Sequence, residues 1–148
     1  MSKHLTNNPI DITQLLQETH SEITGAVVIF SGEVRGINKN KTVDHLEYEA
    51  YEMMAGNEIH KIVEKAIKKW SLNHAVCIHR MGSLTVSECA VVVITCSGHR
   101  NDAYQANRFI IDQVKAHVPI WKKEVFSDGS FEWGTNDCTC SDPVHTHS

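Results

Sequence analysis

Apolar and polar positions alternate along this chain with a period that changes several times, and each change marks an element. Asp11 followed by Gln14 resembles a capping box, and Ile12, Leu15 and Leu16 add a short apolar stripe, which predicts a short helix over 11–20. Ala26 to Phe30 is a continuous, β-branched apolar run and predicts a buried strand. The basic, glycine-led segment 36–42 (GINKNKT) reads as a mobile loop. Residues 43–51 alternate with period two, so that Leu46, Tyr48 and Ala50 face one side and Glu47, Glu49 and Tyr51 the other. From 52 to 70 the period becomes helical. Ile59, Ile62, Val63, Ala66, Ile67 and Trp70 form one face, and Glu58, Lys61, Glu64, Lys65, Lys68 and Lys69 the other.

Strands are predicted at 74–81 and 89–97, with a turn at Gly82-Ser83 between them. A second long helix follows from about Asn101 to Val118, with Ala103, Ala106, Ile110 and Val114 inward. Pro119 closes it, because the residue before a proline avoids the helical region. Residues 120–126 and 130–133 read as a hairpin around Asp128-Gly129. Residues 1–10 and the small, polar tail 134–148 are expected to be loosely held. Strands and helices mix without strict βαβ alternation, so the expected class is α+β, in one domain spanning 1–148.

Composition narrows the function. An apolar fraction of 41% and a charged fraction of 22% describe an ordinary globular protein. A net charge of -4 argues against nucleic-acid and membrane partners, so any anionic ligand needs a local cluster of cations. The N-terminus has no signal-like apolar core and no apolar run reaches membrane length, which points to a cytoplasmic protein. Of five cysteines, Cys77, Cys89 and Cys96 lie in apolar strands and read as reduced thiols. Cys138, Cys140, His145 and His147 in the tail have metal-ligand chemistry but no standard zinc spacing, so no metal site is expected there.

Candidate chemistry gathers at the ends of predicted elements. Arg35 follows the first buried strand. His99 and Arg100 open the second long helix, where backbone N–H groups attract anions. The plainer reading of that pair is a surface arginine and a packed cap residue. Lys115 and Lys122 flank the apolar Val118-Pro119-Ile120-Trp121. Apolar and cationic neighbours ease deprotonation of an amine, so these two are candidates for base or nucleophile, against the alternative of solvated lysines. Lys123, facing the other way, reads as a solvated lysine.

The blocks GAVVIFSGEVRG, LEYEAYEMMA, IHRMGSLTVSE, SGHRNDAYQAN and VKAHVPIWKKE, in that order, resemble the molybdopterin synthase large-subunit family from about Gly25 to Trp133. The resemblance implies an α/β-hammerhead fold with a mixed or antiparallel sheet, two long helices and a small antiparallel β subdomain. It implies a homodimer with a small ubiquitin-like subunit at each end, whose C-terminal thiocarboxylate carries sulfur to cyclic pyranopterin monophosphate and, in two deliveries, builds the dithiolene of molybdopterin. No cofactor or metal is implied. The family's pocket lysines fall on Lys115 and Lys122, its loop arginine on Arg35 and its His-Arg pair on His99 and Arg100, with Phe30 and Met54 as pocket-lining positions. Some members carry an arginine beyond the final tryptophan that reaches the neighbouring protomer; after Trp133 this chain has neither Arg nor Lys. The readings set against this are an enzyme acting alone on a cyclic phosphate through His99, Arg100 and Lys115, and a non-catalytic module that docks a ubiquitin-like partner.

Overall fold

The computed structural model describes residues 2–135. In chain order the elements are β1 (Leu5–Thr6), α1 (Ile12–Gln17), β2 (Ala26–Glu33), β3 (Ile37–Asn38), β4 (Lys41–Ala50), α2 (Glu52–Trp70), β5 (His74–Arg80), β6 (Gly82–Thr85), β7 (Cys89–Ser97), α3 (Arg100–His117), β8 (Ile120–Phe126) and β9 (Phe131–Thr135). One sheet runs β1-β5-β7-β2; the other runs β3-β4-β8-β9, with β6 paired to β4. Only the β1–β5 pair is parallel among the described strands. Met81 alone separates β5 from β6, so one continuous segment joins the two sheets. This is the expected α+β class, but the antiparallel sheet, with five strands, is no smaller than the four-stranded helix-covered one.

Strand β7 is the centre of the core because β5 and β2 flank it on both sides. Its Val91 and Val93 pack under α2 and α3 with Ile59, Val63, Ala66, Ile110 and Val114. Its Val92, Ile94 and Cys96 face Ile10, Ile12, Leu15 and Leu16 around α1. Two buried polar ties fix α3 on this sheet: Thr95 Oγ1 donates to the Ala103 carbonyl at 2.7 Å, and Asn107 Nδ2 donates to the Val28 and Val93 carbonyls at 3.1 and 3.0 Å. Val118 is extended (φ -82°, ψ 130°), as a residue before proline should be. Cys77 and Cys96 are buried free thiols, and burial pushes the Cys77 thiol up to about 12. No helix of the described residues is long and apolar enough to cross a membrane.

Four expectations are corrected. Residues 1–10 are not loose throughout: Leu5 is buried, the His79 N–H donates to the His4 carbonyl at 2.9 Å and the Met81 N–H to the Thr6 carbonyl at 2.8 Å. A two-residue strand is too short to leave a period, and its bonds are made by backbone. Segment 36–42 is a hairpin, not a mobile loop. Lys39 and Asn40 both take left-handed conformations (φ 53° and 63°) in a two-residue turn that lacks the usual glycine. Gly82-Ser83 begins β6 instead of forming only a turn. Finally, β2 lies at a sheet edge, leaving Val27 and Ile29 each 40% exposed. A continuous apolar run identifies a strand meant for burial but not what buries it. The tail cysteines and histidines lie outside the described residues.

The anchoring of the N-terminal strand is testable. Leu5→Ala is expected to cost roughly 2–5 kcal/mol, as for other buried leucines, whereas Ile23→Ala, at an exposed position, should leave the urea midpoint almost unchanged. Equal midpoints for the two variants would mean that β1 contributes nothing.

Candidate active site

The junction of the two sheets gathers titratable groups from four elements. Tyr48, buried on β4, has Lys122 of β8 as its Cα partner on one side and Gly82 of β6 on the other. Its ring meets that of His79 on β5 edge-on, with centroids 4.9 Å apart. Lys115, half-buried in the last turn of α3, lies close enough for its charge to act on His79. Lys122 is thus tied to this ring pair through Tyr48, and Lys115 through His79. Lys123 points to the opposite face, where its amine lies over the Phe131 ring at 4.4 Å and near the Trp133 ring at 5.9 Å. It is thus more enclosed than a fully solvated lysine.

Other predicted positions border this end of the molecule. Arg35 follows Val34, which is clamped by two backbone bonds with the 87–88 turn, Val34 N–H to the Glu88 carbonyl and Ser87 N–H to the Val34 carbonyl. Phe30 shares a strand face with Gly32, Val91 and Val93. A Cβ at Gly32 would stand 3.1 Å from the Phe30 ring, so glycine leaves that ring its place. Met54 is 57% exposed in the first turn of α2, beside Tyr51, whose ring meets Trp121 edge-on at 5.1 Å.

His99 and Arg100 are elsewhere. Both are exposed at the N-terminus of α3, and Ser97 Oγ donates to the His99 carbonyl. Lys115 stands fifteen residues after Arg100 on the same helix, so about 22 Å of helix axis separates the two. The β2–β7 register gives the same division: Ala26 pairs with Ser97 at one end and Glu33 with Cys89 at the other, which leaves Arg35 far from His99. One protomer brings Arg35, Lys115 and Lys122 to one end of the fold and keeps His99 and Arg100 at the other.

Charge pairing differs among the cations. Lys39, Lys41, Lys61, Arg80 and Arg108 each have a carboxylate within 4.0 Å, whereas Arg35 and Arg100, like Lys3, Lys65, Lys68, Lys69 and Lys123, make no ion pair among the described residues. Cations left without carboxylates in a chain of net charge -4 are suited to anionic ligands. A half-open pocket of about 320 Å³ lies between α1, α2 and β5, lined in part by His4, His60, Glu64 and His74, and includes neither Arg35 nor Arg100 and neither Lys115 nor Lys122. No group of three or more His, Cys, Asp or Glu side chains among the described residues is placed to hold a metal ion.

Sequence pattern marks Tyr48 only as an inward residue and does not mark His79 at all. His79 is fully buried. Burial, with the nearby Lys115 charge, holds its pKa down to about 4, against the upward pull of its bond to the Arg80 carbonyl. The unfolded chain therefore binds more protons than the folded one between about pH 6.5 and 4, so stability is full above that window and falls as pH drops through it. The loss due to this group is about 3 kcal/mol. Denaturant titrations of wild type and His79→Asn across pH 4–7 should show this part of the pH dependence only in wild type. Parallel curves would place the cause elsewhere.

The comparisons with known proteins identify the family. The family model described as MoaE protein matches residues 5–117. The molybdopterin synthase catalytic subunit of Staphylococcus aureus (strain COL) is 41% identical over 126 residues, covering 85% of each chain. The crystal structure of molybdopterin synthase from Staphylococcus aureus superposes with a TM-score of 0.84 at 38% identity, over 90% of this chain and 98% of that one. A complex of subunits 1 and 2 of the molybdopterin-converting factor from Helicobacter pylori contains the same fold, with a TM-score of 0.73 at 21% identity, covering 88% of both chains. With a family model spanning most of its length and a 41%-identical relative, the chain belongs to the MoaE protein family.

Proposed function

We propose that this chain is the catalytic subunit of a cytoplasmic molybdopterin synthase, a sulfurtransferase that converts cyclic pyranopterin monophosphate to molybdopterin. The sulfur comes from the C-terminal thiocarboxylate of a small ubiquitin-like partner. The observation that carries this reading is the Tyr48–His79 ring contact at the sheet junction, with Lys122 across from Tyr48 and the charge of Lys115 acting on His79. The chemistry brings two anions, a phosphate and a thiocarboxylate, into one place. It also needs proton transfer, because a cyclic phosphate opens and water is lost. Cations answer the first need, and a lysine able to exchange a proton answers the second.

The exposed edge of β2 supports a homodimer in which two copies complete each site. Val27, Ile29 and Phe30 are apolar and exposed on a strand whose outer edge has no partner among the described residues. Such an edge invites pairing with another strand. Antiparallel pairing with β2 of a second copy about a two-fold axis sets the Glu33 end of one strand beside the Ala26 end of the other. His99 and Arg100 of the second copy then stand near Arg35 and Lys115 of the first. The cations that one protomer separates are reunited, and a small subunit bound at each outer end gives a heterotetramer.

The roles of the lysines are separable. Lys115→Ala should lower molybdopterin formation by roughly 10²–10⁴-fold while leaving partner binding nearly intact. Lys115→Arg should fail as well, because a guanidinium does not deprotonate at working pH. Rapid-quench single turnover with thiocarboxylated partner and pterin precursor checks this. A near-wild-type rate for Lys115→Arg would reduce the role of Lys115 to positive charge.

A further inference from the structure

The lysine end of the fold contains a buried group that the sulfur transfer as described does not employ. His79 has no solvent exposure, and its Nδ1 lies 2.7 Å from the Arg80 carbonyl oxygen. A carbonyl only accepts, so Nδ1 carries the proton and Nε2 carries the lone pair. His79 shares its strand face with Cys77, toward the core beneath α2 and α3, and the last turn of α3 carries Lys115, whose charge reaches His79. The buried side-chain nitrogens and oxygens that lack a hydrogen-bond partner among the described residues are His74 Nε2 and Arg80 Nε, so His79 Nε2 is not one of them.

The donor must come from the groups that face the ring. By the ring stand Tyr48 on β4, in ring contact, Lys115 on α3, whose charge acts on it, and Arg80 on β5 itself, while Lys122 is tied to it only through the Tyr48 register. Arg80 is turned away, with Nη1 on Glu88 at 3.2 Å and Nη2 on the Asn7 carbonyl at 3.3 Å. Tyr48 meets His79 ring edge to ring face, a contact that packs the imidazole.

We propose that His79 is a positioning residue: its Nε2 lone pair accepts a hydrogen bond from the Lys115 amine and fixes where that amine stands. This rests on the reading of Lys115 as the proton-transferring lysine. A long, flexible side chain at a helix end gains a fixed position only if something rigid holds its tip. The imidazole is such a holder, being pinned by a strand, a carbonyl and the Tyr48 ring. It stays neutral in the working pH range, so it orients the amine without competing for charge.

The test uses two isosteres and reads Lys115 directly. His79→Asn keeps an amide N–H in the place of Nδ1 and removes the acceptor; His79→Gln sets an amide oxygen near the place of Nε2. Lysine labelled with ¹³C at Cε, assigned with Lys115→Met, reports the Lys115 titration by NMR in the full-length protein. The expected result is a midpoint lower by around one pH unit in His79→Asn, because the ammonium has lost an acceptor, and close to wild type in His79→Gln. The acid limb of the single-turnover rate should move with it, and the plateau should fall by roughly tenfold. An unchanged midpoint in His79→Asn, or equal shifts in both variants, would overturn the proposal. A moved midpoint with an unaffected rate would uphold the His79–Lys115 contact and defeat the catalytic reading of Lys115. Should His79→Asn fail to fold, Lys115→Met gives the reciprocal readout: the ¹⁵Nε2 resonance of His79 should move downfield as its donor is removed, and a fixed resonance would contradict the contact.

Discussion

The amide of Asn107 fixes the geometry on which this fold's chemistry depends. Buried between α3 and the first sheet, its Nδ2 spans the carbonyls of Val28 and Val93 and so ties one helix to two adjacent strands. Thr95 adds a second tie one helical turn nearer the N-terminus, through the Ala103 carbonyl. A buried amide that lost both acceptors would cost about 1–3 kcal/mol, so α3 is held in one register on β2 and β7. That register determines where each end of the helix stands. Lys115 comes to the junction of the sheets, and His99 and Arg100 come to the far end of β7.

The rigidity has a consequence for the site. A helix held along its length cannot bend its two cationic ends together, and β2 cannot bring Arg35 to His99 within one chain. Yet the proposed substrate and donor are both anions that must share a pocket. The proposed two-fold pairing along the exposed apolar edge of β2 would reconcile these demands with no change in either protomer. It covers Val27 and Ile29, whose apolar pattern is that of a buried strand, and it reverses the ends. Burial of the strand and completion of the site then have one cause.

Much of this is legible in the sequence because the long elements have clean periods. Helices α2 and α3 follow from their apolar faces, Val118 ends α3 for the reason its proline neighbour supplies, and β7 follows from an unbroken β-branched run. The short elements are hidden because backbone bonds, not side-chain patterns, make them: β1 leaves only Leu5 as a sign, and the Lys39-Asn40 turn lacks its customary glycine. Lys115 and Lys122 stand out by their place around Pro119. Tyr48 and His79 do not, since what matters about them is a ring contact across two sheets, a tertiary relation with no local signature. The distance between Arg100 and Lys115 is already implicit in the predicted helix, whose length forbids them from meeting. The proposed dimer, resting on the edge position of β2, is what would bring them together.

A site shared between protomers makes the most direct demand on experiment. Two variants, Lys115→Ala and Arg100→Ala, each inactive or nearly so as a homodimer, are co-expressed with different tags so that mixed dimers form. If each site takes Lys115 from one copy and Arg100 from the other, a mixed dimer contains one site with both residues intact and one with neither. Random mixing should then restore about a quarter of wild-type single-turnover activity, and purified mixed dimers about half, as two-fold symmetry requires. No recovery in purified mixed dimers, with partner binding intact, would contradict the shared site.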